Sequence, residues 1–78
     1  MAHLIKAIAI RNNSPLSDQP VTTEIATTDL HQFQTPSEAA HGLAKMIRET
    51  PYCFTDDVIF WNELQVSFDR SPPAILKR

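Results

Sequence analysis

The sequence predicts a small α+β domain in which a single antiparallel β-sheet, in ββαββ order, packs on one amphipathic helix. Three observations carry this prediction. Residues 36–49 repeat apolar side chains at helical spacing and have a stop and a start signal at their ends. The segments on either side are rich in β-branched residues and alternate. The chain has 78 residues, which makes one domain over 1–78 with a core worth about 3–5 kcal/mol of net stability.

Residues 3–11 read as a strand that is apolar on both faces, with Ile5, Ala7 and Ala9 on one and Leu4, Lys6, Ile8 and Ile10 on the other. Period alone leaves open which set is buried. Residues 12–20 combine Pro15 and Pro20 with Asn, Ser and Asp, a loop longer than a tight hairpin requires. Asn12-Asn13-Ser14 matches a glycosylation acceptor, but no secretory signal accompanies it and Pro15 follows. A second strand follows over 21–28, with Val21, Thr23 and Ile25 on one face and Thr22, Glu24 and Ala26 on the other. Leu30 and Phe33 are spaced to dock just before the helix.

In the helix, Ala39, Ala40, Leu43, Ala44, Met46 and Ile47 share one stripe, and Glu38, His41, Gly42, Lys45, Arg48 and Glu49 fill the other arc. Thr35 and Glu38 form a capping-box pair, Pro36 suits the first helical position, and Pro51 forbids continuation. Gly42 reads as a surface glycine that costs about 1 kcal/mol relative to alanine. Tyr52, Cys53 and Phe54 then return over the core. After a turn at Asp56-Asp57, residues 58–61 and 64–69 read as a hairpin about Asn62-Glu63. Residues 70–78 form a tail behind Pro72-Pro73 that either covers the sheet through Ile75 and Leu76 or stays loosely ordered.

Composition argues against several functions. With one glycine, neither a dinucleotide fingerprint nor a phosphate-cradling loop can be built. Cys53 is the only cysteine and, between Tyr52 and Phe54, reads as a packed thiol that is not a nucleophile for His31 or His41. The histidines His3, His31 and His41 show no ligand spacing with Cys53. Asp56 and Asp57 suit a turn better than acid–base work. The expectation is therefore a protein that is not an enzyme, has no catalytic residues, and binds no metal, cofactor or small-molecule substrate. The apolar run 4–10 is broken by Lys6 and is too short to span a bilayer, so a cytoplasmic chain with no membrane partner is expected. A net charge of −2 with mixed signs argues against nucleic acid, although Lys45, Arg48 and the tail cations with Phe60 or Trp61 leave a weak single-stranded nucleic-acid-binding domain as the alternative.

Face arithmetic points to protein binding. A two-residue turn at Asn62-Glu63 puts Ile59, Trp61, Leu64, Val66 and Phe68 beneath the helix and turns Val58 and Phe60 outward. The first strand adds apolar side chains to that outer face in either register. The expected partner-binding residues are Phe60, Val58, Ile8, Ile10 and Lys6, and the expected partner is another protein or a second copy. The protein would then be an interaction module, inhibitor or adaptor. Phage-encoded inhibitors of bacterial defence complexes include proteins with a similar order of elements, a resemblance that extends no further than that order.

Overall fold

The structure, a computed structural model, describes residues 4–12 and 18–78. The expectations that rest on His3, Asn13, Ser14 and Pro15 lie outside the described residues. One antiparallel sheet of four strands, in the spatial order β2-β1-β3-β4, is built from β1 (Leu4–Arg11), β2 (Val21–Ile25), β3 (Glu63–Phe68) and β4 (Ala74–Lys77). The main helix α1 (Pro36–Glu49) covers its inner face together with a short helix α2 (Asp56–Ile59). Turns of 3-10 helix at Thr28–Leu30 and Pro51–Cys53 lead into and out of α1. The coarse class is α+β with one sheet and one main helix, while the succession of elements differs from simple ββαββ through these short helices.

Helix α1 keeps the bounds its signals set. The Thr35 hydroxyl accepts the Glu38 backbone N–H at 3.2 Å, and Thr50, whose N–H bonds Met46 O at 2.8 Å, closes the other end before Pro51. Ala39, Ala40, Leu43 and Ile47 are buried and Lys45 and Arg48 exposed. Gly42 is not an idle surface glycine. The Phe33 ring lies directly over it, with Cε1 2.9 Å from where a Cβ would stand, so the missing side chain makes room for the segment that precedes the helix.

Residues 58–61 are not a strand. Val58 N and Ile59 N both donate to Thr55 O, at 3.0 and 2.9 Å, and Phe60 N donates to Asp56 O at 3.0 Å. Asp56 and Asp57 occupy the first turn, where their charge suits the helix dipole, and this local arrangement overrides the β preference of Val58 and Ile59. Helical spacing then sends Val58 and Trp61 into the core, at 3% and 7% exposure. The outward orientation expected for Val58 is thereby corrected. The tail supplies the missing strand: β3 pairs with β4, Leu64 opposite Leu76 and Gln65 opposite Ile75. Arg70, at φ 59°, makes the left-handed turn between them. The tail thus extends the sheet at its edge instead of lying across it.

Register resolves the face of β1. Ala7 and Ala9 are fully buried opposite Val66 and Leu64 of β3 and Ile25 and Thr23 of β2. An irregularity between Leu4 and Lys6 breaks the alternation, so Leu4 packs against the core while Ile5 is 61% exposed. Small side chains inside let the helical layer approach the sheet closely, and Leu30, Leu43, Leu64 and Val66 fill the space between.

Candidate docking surface

The face of the sheet turned away from the helices is defined by the alternation opposite Ala7, Ala9, Leu64 and Val66. On β1 it carries Lys6, Ile8 and Ile10, on β2 Thr22 and Glu24, on β3 Glu63, Gln65 and Ser67, and on β4 Ile75 and Lys77. Cross-strand rows follow from the register. Glu24, Ile8, Gln65 and Ile75 form one, and Thr22, Ile10, Glu63 and Lys77 the next. Ile8 and Ile10 are half-buried by these neighbours, whereas Ile75, on an edge strand, stays 54% exposed. The Gln65 amide donates to the Glu63 carboxylate, so a polar column on β3 divides the β1 isoleucines from Ile75. Two lysines and two glutamates balance on this face.

Of the residues expected to bind a partner, the fold brings Lys6, Ile8 and Ile10 together on this face and places two elsewhere. Val58 is in the core. Phe60 is 54% exposed, but it stands at the end of α2, with the Arg11 guanidinium 5.3 Å from its ring centroid. Arg11 shares the inner face with Ala9 and pairs with Asp57 of α2 at 3.2 Å, which places Phe60 on the helical side, apart from the outer face. Ile75 takes its place on that face. The signal for it was the alternation of Ala74, Ile75 and Leu76 after Pro72-Pro73, too short to rank as a strand alone.

Other chemistry-bearing side chains are scattered. Cys53 is exposed in place of the packed thiol expected, because the 3-10 turn that holds it lies outside the core, and Tyr52 beside it is 84% exposed. His41 Nδ1 lies 2.8 Å from Ser37 O on the open face of α1. Among the described residues, no three His, Cys, Asp or Glu side chains converge on one point. No helix there is long and apolar enough to cross a membrane. Trp61 is 7% exposed with Arg78 stacked on it at 4.5 Å, so its ring is not an open platform for a base. No known protein family, characterised protein or solved structure matches the chain.

Proposed function

We propose that the protein is a non-catalytic binding module, an inhibitor or adaptor, that docks the outer face of its sheet on another protein. The observation that supports this reading is the face itself, which no described helix covers. Among the described residues every helix packs on the other side, and half-buried Ile8 and Ile10 and exposed Ile75 stand on this face among charges of both signs. Covering apolar surface is worth about 25 cal/mol per Å², and the surrounding lysines and glutamates would set partner choice and encounter rate more than affinity.

The sheet face by itself is small for a stable interface. Four strands spaced about 4.8 Å apart, with some five residues each at about 3.3 Å, span roughly 320 Å². Two such faces in contact fall short of the ~1,200 Å² buried in stable interfaces. A partner that also grips the edge strand β4 and the exposed Ile5 reaches further. The test uses three baits in affinity capture from the native host: wild type, Ile75→Asp and Phe60→Asp. The reading expects a partner retained by wild type and Phe60→Asp and lost by Ile75→Asp, with sedimentation showing the free chain monomeric. Equal retention by all three defeats it, and a concentration-dependent dimer that Ile75→Asp abolishes replaces the partner with a second copy.

A further inference from the structure

The helical side carries a second feature that the outer face does not explain, a groove of about 350 Å³ between α1 and the end of the chain. Its floor is apolar, made by Ala44 and Ile47 of α1 with Ile59 and Trp61. Two guanidiniums, those of Arg48 and Arg78, line it, and no lining side chain is a carboxylate. Arg78 is held in place: its carbon lies 4.5 Å above the Trp61 ring centroid and its Nη2 donates to Ile59 O at 3.2 Å. That leaves most of its five donors unspent. Arg48 is exposed and forms no ion pair among the described residues. An apolar trough flanked by two guanidiniums, with no acidic side chain in its lining, complements an apolar group flanked by anions. A nucleobase does not fit this description, because the indole face is already occupied by Arg78.

We propose that this groove receives an acidic–apolar segment of a protein partner, with an aliphatic side chain on the floor and carboxylates against Arg48 and Arg78. The site is independent of the outer sheet face. Trp61 is the only tryptophan, so its emission reports on the groove directly. The peptide acetyl-Glu-Leu-Asp-amide is titrated against the full chain, beside its neutral isostere acetyl-Gln-Leu-Asn-amide and free hexanoate. A saturable change in emission with the acidic peptide is expected. It should weaken about tenfold or more with the isostere and with Arg48→Gln, an exposed position whose loss leaves the fold intact, and it should weaken with added salt. Absence of saturation overturns the proposal, as does equal binding of the neutral peptide or an unchanged affinity in Arg48→Gln. Hexanoate binding as tightly as the acidic peptide overturns the peptide occupant.

Discussion

Replacing Gly42 with alanine sets two effects of opposite sign against each other. Within a helix, the change is worth about 1 kcal/mol in favour of alanine. Here the added Cβ enters the Phe33 ring, coming 2.9 Å from Cε1 and nearer still to Cε2 and Cζ. Phe33 packs against the core while only half-buried, so the ring yields outward and gives up part of that packing. Overpacking of this kind costs about 1–3 kcal/mol, which outweighs the helical gain and leaves Gly42→Ala less stable by about 1 kcal/mol. Removing the ring reverses the sign. In a Phe33→Ala background the same substitution should stabilise by about 1 kcal/mol, so the double-mutant cycle should show a coupling of about 2 kcal/mol. Urea unfolding followed by Trp61 emission measures all four proteins. Equal stabilisation by Gly42→Ala in both backgrounds would refute the close approach of Phe33 to the helix.

Leu43→Ala removes a fully buried side chain and should cost about 2–5 kcal/mol, read by the same urea transition; a cost below that range would mean that α1 does not pack on the sheet at this point. Thr35→Ala deletes the hydroxyl that caps Glu38 N and should cost about 0.5–2 kcal/mol, whereas Thr35→Asn should restore most of it. Cys53, exposed in its 3-10 turn, should react with a chromogenic disulfide reagent in the native state about as fast as in urea, and strong protection would put the thiol back in the core.

Helix α1 was legible because its signals are local. The Thr35 cap, Pro36, the apolar stripe and Pro51 each act within a turn or two of the backbone they govern. The inner face of β1 was not, since both sides of the strand are apolar, and only the packing of Ala7 and Ala9 beneath the helical layer selects one. Val58, Ile59, Phe60 and Trp61 each favour a strand, and a helix four residues long is too short to show a period of its own. Its one sequence cue is Thr55 ahead of two aspartates, a helix-start pattern equally compatible with a turn. Misplacing that segment also misplaced Val58 and Phe60, which the reading as a strand turned outward. The outer face survived the error in part because Lys6, Ile8 and Ile10 depend on β1 alone. Gly42 was misread for a different reason: the ring that covers it comes from a segment outside the helix, which helical spacing does not register.

Isoleucine side chains sample both proposed surfaces, and their methyl spectrum with the captured partner present tests the docking face most directly. Ile8, Ile10 and Ile75 lie on the outer sheet face, while Ile47 and Ile59 line the helical groove and Ile25 is in the core. Docking through the sheet predicts that adding the partner shifts or broadens the Ile8, Ile10 and Ile75 methyl signals and leaves Ile25, Ile47 and Ile59 in place. Perturbation confined to Ile47 and Ile59, with Ile8, Ile10 and Ile75 unmoved, would contradict it and transfer the partner to the other side of the molecule.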